Sequence, residues 1–321
     1  MKIKPIILVP GEPNSIFFEI FFKALNFKKF KSPIVLIASL KIIQLQMKKL
    51  NIKRRINLIN FNKFNQYHLN NKNVNLINVD YNQSKSFEKI SSKSNLYIEK
   101  CFDVALNMIK KKITNKFING PISKKFFLNK KYLGVTEYIS DYFNENNTCM
   151  LIYNKNLSVC PITTHVPIKQ VTKKISKKII KEKVQLIEKF YVKHFKYKPK
   201  IAILGLNPHC ETNEKFNEDQ RIIKPAVLNL KKFNYNIDGP YSADTAFLKQ
   251  NRVKYDVIIG PYHDQVLTPL KTLFEYDAIN ITLGLPFIRI SPDHGPNKKM
   301  LGKNASNPLS LIRAIEFLDK N

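Results

Sequence analysis

Six histidines occur in 321 residues, at positions 68, 165, 194, 209, 263 and 294. Four of them, His165, His209, His263 and His294, follow short apolar runs and sit among Pro, Thr, Asn, Asp or Gly. A catalytic divalent ion typically takes three protein ligands and leaves a position for substrate, and His165, His209 and His263 would supply such a set. His263 is followed by Asp264 and Gln265, then by Lys271, just past the β-branched run Tyr255–Ile259. That run reads as a buried strand, with Gly260-Pro261 as its stop. Ligands in open α/β sheets bind beyond the carboxyl ends of strands, so an imidazole beside a carboxylate at such an end is a candidate site. The plainer alternative is a structural His-Asp pair. His68 and His194 lie in Lys- and Asn-rich stretches and read as surface residues.

The elements that must position these groups alternate. Strands are expected at Ile6–Val9, Pro33–Ala38, Ile56–Ile59, Val74–Val79, Lys116–Asn119 and Asp277–Leu283. Helices are expected at Ile16–Leu25 (capped by Ser15), Leu40–Leu50, Ser94–Lys112, Ile168–Phe195, Glu218–Phe233 and Leu309–Leu318. Another helix opens at Gly134, with Thr136 near its N-terminus, where an anion is favoured. Strands alternating with helices predict an α/β protein with mostly parallel sheets. Gly284–Gly295 leads into a loop. Asp244 reads either as a helix N-cap or as a carboxylate beside a metal. No GxGxxG or GxxxxGK[ST] occurs, which argues against a standard dinucleotide fingerprint or P-loop.

The net charge of +30 invites a nucleic-acid reading, but only six of the 54 basic residues are Arg. Arg is the usual reader of base edges, and no zinc-finger spacing accompanies it. Scattered lysine predicts a diffuse pull on polyanions rather than specific nucleic-acid binding, and it favours a phosphorylated substrate. The four cysteines show no framework spacing and read as reduced thiols. No apolar run is long enough for a membrane span, and the N-terminal apolar run is too short for a signal peptide. The expected place is the cytoplasm.

With these residues in view, the chain resembles the 4-hydroxythreonine-4-phosphate dehydrogenase (PdxA) family. The resemblance runs through Gly11-Glu-Pro13, Gly120-Pro121 with Lys124, Thr136-Glu137, Thr163–Ile168 and Gly205–His209. It continues through Gly239-Pro240, Asp244–Phe247, Tyr262–Gln265, Lys271, Asn280–Arg289 and Asp293-His294-Gly295. It implies a two-lobed α/β/α fold like isopropylmalate dehydrogenase, with an active-site cleft between lobes, and a homodimer with active sites at the interface. One lobe would comprise residues 1–125 with 270–321, the other 126–269.

By resemblance, His165, His209 and His263 are metal ligands, for zinc, magnesium or cobalt. Thr136, Lys271, Asn280 and Arg289 contact substrate, and Lys271, Asp244 and Asp264 are the catalytic candidates. Asp293, His294 and Gly295 belong to the NAD or NADP site. The implied reaction is metal-dependent oxidation and decarboxylation of 4-phosphooxy-L-threonine to 3-amino-2-oxopropyl phosphate in pyridoxal 5'-phosphate biosynthesis. The sequence departs from the family pattern at Val135, where the family has His, and at Pro296–Lys299 in the cofactor loop. It also departs at Val266, at Cys210–Asn213 and at Asn14–Phe17, where family glycines are lost. Val135 keeps a related substrate in play, such as 4-phospho-threonate or 4-phospho-erythronate. A polyanion-binding protein on a retired enzyme scaffold is the alternative from another class.

Overall fold

The computed structural model describes residues 3–123, 126, 132, 134–212 and 216–320. Lys124 lies outside the described residues. The chain divides into two compact units, residues 1–139 with 286–321, and 140–285.

The first unit begins with β1 (Ile6–Val9), α1 (Phe17–Phe27), β2 (Ile34–Ala38), α2 (Leu40–Lys49), β3 (Ile56–Leu58) and β4 (Val74–Asn78). Then come α3 (Asn95–Lys110), β5 (Lys116–Asn119) and the start of α4 (Val135–Tyr142). The second unit follows with β6 (Cys149–Tyr153), β7 (Ser158–Thr163), α5 (Ile168–Lys174), α6 (Lys177–Phe195), β8 (Ile201–Leu204) and α7 (Lys224–Lys232). It is completed by β9 (Ile237–Tyr241), α8 (Ala243–Ala246), α9 (Lys249–Arg252), β10 (Val257–Tyr262), α10 (His263–Phe274) and β11 (Ile279–Leu283). The chain returns to the first unit for β12 (Ile288–Pro292) and α11 (Leu309–Lys320).

In the first unit the strands run β3-β4-β2-β1-β5-β12, all parallel. β1 reads Ile-Ile-Leu-Val and is fully buried, as a central parallel strand covered on both faces must be. Phe17, Phe18, Phe21 and Phe22 on α1 are also fully buried, so this helix is apolar nearly all round and sits in the core. Phe102 of α3 meets Phe117 and Tyr138 edge-on, each at 5.9 Å between ring centres.

In the second unit the order is β11-β6-β7-β10-β8-β9. β6 runs antiparallel to both β11 and β7, and the remaining pairings are parallel. Val159, Ala202, Leu204, Ile258, Val266 and Leu270 form its core.

Several expectations shift. The stretch Ile168–Phe195 is two helices, because Ser176 caps α6 by accepting from the Ile179 amide at 3.3 Å. Residues Asp219–Ile223 form a wide π turn leading into α7. Ile16 holds the cap position of α1, while the Ser15 hydroxyl accepts from the Phe17 amide at 3.3 Å. β10 continues through Gly260-Pro261 to Tyr262, so those residues do not stop the strand. The stretch from Gly284, for which no strand was expected, contains β12 before the loop. Among the described residues no helix is long and apolar enough to cross a membrane.

Candidate functional site

Three of the four site histidines leave the carboxyl ends of adjacent parallel strands. β7, β10 and β8 are neighbours in that order. Tyr262 on β10 pairs with Thr163 on β7. The Thr163 hydroxyl also donates to the Pro261 carbonyl at 2.8 Å, locking the two strand ends together. His263 stands one residue past its strand and His165 two past its own, so register alone brings them side by side. Their ring centres are 5.8 Å apart. Two imidazoles on one ion at about 2.1 Å place ring centres roughly 5–6 Å apart, so this pair suits a shared cation.

His263 opens α10, and its Nδ1 lies 2.6 Å from Oδ1 of Asp264. A carboxylate only accepts, so Nδ1 donates, and in the neutral ring Nε2 keeps its lone pair for a metal. Next to it, Gln265 donates from Nε2 to the Gly205 carbonyl at 2.8 Å. This ties the start of α10 to the end of β8.

His209 follows β8 in a short turn, Pro208–Cys210, with left-handed backbone at His209 (φ 55°) and Cys210 (φ 61°). The turn is held from beneath by Asp219, a fully buried carboxylate. It accepts from the amides of Leu206 at 2.6 Å and Asn207 at 3.0 Å, and from Asn207 Nδ2 at 3.0 Å. His209 Nδ1 is 3.4 Å from the Ser242 hydroxyl. The cap position of α8 belongs to Ser242, and Asp244 sits in the first turn, so the N-cap reading of Asp244 does not hold. The Ser242 hydroxyl holds the Asp244 carboxyl below its ordinary range, and His209 lowers it further. Among the described residues, no three His, Cys, Asp or Glu side chains are already gathered to hold an ion.

The donor set still fits a divalent metal in chemistry. Its imidazoles are the commonest borderline ligands, and carboxylates stand behind His263 and near His209.

Elsewhere in this unit, Lys271 is exposed on α10. Asn280 on β11 is half-buried, and its Oδ1 is buried without a hydrogen-bond donor. All four cysteines are free and buried, and burial pushes the Cys210 thiol up.

The first unit holds the other candidates. Arg289 on β12 is 3% exposed. Its Nε donates to Asn119 Oδ1 at 2.7 Å and its Nη1 to Thr136 Oγ1 at 3.0 Å. Burial lowers its guanidinium to about 10, with Glu137 opposing. Thr136 is the second residue of α4 and so meets Arg289 directly. In the loop after β12, the Asp293 amide donates to the Ser310 hydroxyl at 2.8 Å. His294 Nδ1 is 3.1 Å from the Gly295 carbonyl, which only accepts, so that nitrogen donates. The Ile16 amide donates to the Pro296 carbonyl at 3.3 Å, fastening this loop to the turn before α1. Lys298 and Lys299 are exposed beyond it. The exposed Gly295 followed by two cations fits a polyanionic dinucleotide in chemistry.

Sequence reasoning did not single out Asn119, Asp219 or Ser242. Asn119 precedes Gly120-Pro121 and Asp219 is the second residue of the helix predicted from Glu218, but neither type nor spacing distinguishes them from ordinary polar residues.

Comparison with known proteins bears on the same arrangement. Residues 29–318 match the family model for the pyridoxal phosphate biosynthetic protein PdxA. A 4-hydroxythreonine-4-phosphate dehydrogenase from Sulfurihydrogenibium sp. (strain YO3AOP1) is 39% identical over 317 residues, 96% of this chain and 95% of the relative. The 4-hydroxythreonine-4-phosphate dehydrogenase structure from Klebsiella pneumoniae superposes with a TM-score of 0.83 at 26% identity, covering 98% of each chain. A β-decarboxylating dehydrogenase from Thermococcus kodakarensis shares the fold, with a TM-score of 0.51 at 11% identity over 98% of this chain and 82% of that one. The match to the family model over nearly the whole chain, together with a relative 39% identical over 96% of it, establishes that this chain belongs to the PdxA family of pyridoxal phosphate biosynthetic enzymes.

Proposed function

We propose that this enzyme oxidises and decarboxylates 4-phosphooxy-L-threonine to 3-amino-2-oxopropyl phosphate, using a divalent metal and NAD or NADP. The observation that carries the reading is the exit of His165, His263 and His209 from adjacent parallel strand ends, with His263 already oriented by Asp264. A bound divalent ion supplies Lewis acidity toward the substrate hydroxyl and the later ketone, and the nicotinamide supplies a hydride acceptor.

The chain's own groups do the positioning. Asp264 keeps Nε2 of His263 available, and the Ser242 hydroxyl and Asp244 carboxylate flank His209. The Ser242 hydroxyl stabilises the charge of the Asp244 carboxylate. Lys271 and Arg289 offer cationic donors to phosphate or carboxylate, Arg289 through a planar fork. Asn280 offers an unsatisfied acceptor to a substrate amine or hydroxyl. Asp293, His294 and Gly295 border the cofactor, with Lys298 and Lys299 favouring a 2'-phosphate. The working form is a cytoplasmic homodimer with its active site at the interface.

Val135, at the start of α4 beside Thr136, favours a second reading in which a related acid such as 4-phospho-threonate or 4-phospho-erythronate is the substrate. An apolar side chain there removes a polar contact that would select one substrate.

The test is NADH or NADPH absorbance growth with 4-phosphooxy-L-threonine and zinc, magnesium or cobalt, beside the two alternative acids. Highest kcat/KM with 4-phosphooxy-L-threonine supports the first reading. Preference for another acid supports the second, and no turnover with any combination overturns both.

A further inference from the structure

The loop between β12 and α11, residues 293–308, is fastened at two points to α1 and the turn before it. At the first, the Ile16 amide donates to the Pro296 carbonyl at 3.3 Å. At the second, Lys23 Nζ donates to the carbonyls of Asn304 and Ser306, each at 2.9 Å. Glu19, one helical turn earlier, accepts from the same ammonium at 2.9 Å through Oε1, and that oxygen also accepts from the Ser306 amide at 2.6 Å. Lys298 and Lys299 lie between the two points, and Asp293, His294 and Gly295 lie just before the first.

The ion pair is costly where it stands. The Glu19 side chain is 3% exposed, on a helix whose Phe17, Phe18, Phe21 and Phe22 are buried. Its Oε2 is buried without a hydrogen-bond donor, which adds to the cost. Apolar residues of similar volume in place of such a pair are often neutral or stabilising, so stability alone does not call for these charges. What the pair supplies is direction. An ammonium has three donors, and here one meets Glu19 and two meet backbone carbonyls of a single loop. An apolar contact would keep the loop near α1 without fixing which carbonyls face it. Because the charges of Glu19 and Lys23 cancel, the pair shapes the loop without itself attracting an anion.

We infer that Lys23, oriented by Glu19, is a positioning residue for dinucleotide binding: it clamps the carbonyls of Asn304 and Ser306 and so fixes the loop that presents Asp293, His294, Gly295, Lys298 and Lys299. This rests on the proposed cofactor role of that loop.

The experiment compares Lys23→Met, Lys23→Arg and His294→Ala with the parent, each first checked by thermal melting. Binding of NAD and of NADP to the metal-loaded enzyme is measured by titration calorimetry, beside zinc affinity of the metal-free enzyme and KM and kcat with the dinucleotide varied. Lys23→Met keeps the length of the side chain and removes its donors. The inference predicts that it weakens dinucleotide binding about tenfold, the scale of one hydrogen bond to a charged group. The KM for dinucleotide should rise far more than kcat falls, and zinc affinity should stay parental. Lys23→Arg, which can still donate to both carbonyls, should recover most of the affinity. Faster amide hydrogen exchange across residues 293–308 in Lys23→Met would show the loop released. If Lys23→Met does not fold, Lys23→Gln, which shortens the reach, decides by the same measurements.

A clamp that serves stability alone predicts a lower melting temperature with parental dinucleotide affinity. If Lys23→Met shows that result while His294→Ala weakens binding, the inference is wrong and the cofactor reading of the loop stands. If both variants bind dinucleotide as the parent does, the cofactor reading falls, and this inference with it.

Discussion

His263 Nδ1 and Asp264 Oδ1 lie 2.6 Å apart, although the two residues are neighbours in the chain at the first turn of α10. The strand ends at Tyr262 and the helix starts at once, so the backbone turns sharply enough for consecutive side chains to meet. The ring orientation of a proposed metal ligand is thereby set by a local contact, not by distant packing.

Asp264→Asn should weaken zinc binding by about 10- to 100-fold, the usual range for losing the carboxylate behind a ligating imidazole. The Asp264 side chain is 80% exposed, so the melting temperature should stay near the parent value. Competition titration against a chromogenic chelator reads the affinity. Unchanged affinity would mean that the Asp264 carboxylate does not support His263 as a ligand.

Asp219→Ala should be far more damaging to the fold. Its carboxylate satisfies two backbone amides and a side-chain amide in the turn that carries His209. Each buried donor left unmade costs about 1–3 kcal/mol, so a loss of roughly 3 kcal/mol or more is expected in urea unfolding. A midpoint close to the parent would mean that water replaces the carboxylate without cost.

Glu12 gives a pH signature. Burial raises its carboxyl above the ordinary range, against the lowering effect of hydrogen bonds from the Asn14 amide and the Ser94 hydroxyl. The folded state therefore holds this proton more tightly than the unfolded chain does. Its contribution is fully present below the unfolded value of about 4.3, and is lost as pH rises through the folded value. Glu12→Gln should flatten that decline, so the stability of the variant relative to the parent increases from pH 4 towards neutrality. Denaturation midpoints across this range measure it, and parallel curves would refute the assignment.

Gly120→Ala tests the close packing next to Asn119. A Cβ there would collide with the Pro10 carbonyl and the Phe17 ring. Phe17 is fully buried and cannot retreat. A loss of about 1–3 kcal/mol is expected from overpacking of this kind, read by chemical denaturation.

The residue types were legible in advance where they obey a period or carry a rare chemistry. Buried runs such as Ile6–Val9 and Ile34–Ala38 announce strands because no polar residue interrupts them. The histidines stood out because there are only six, set among turn residues. β12 escaped notice because glycine and two prolines flank it, and local composition outweighed the short Ile-Arg-Ile run. The break between α5 and α6 was hidden by the lysine pairs on either side of Ile175-Ser176, which suit a helix as readily as a solvated turn.

By itself, then, the sequence determined an α/β protein with mostly parallel strands, the imidazoles available for a metal and the scarcity of arginine, since these follow from residue chemistry and short-range periodicity. Only the tertiary structure decided which groups meet. The register of β10 on β7 sets His263 beside His165, and that of β12 on β5 turns Arg289 toward Asn119 and Thr136. Strand pairing joins residues about a hundred or more positions apart, a distance at which no local pattern in the chain specifies a partner.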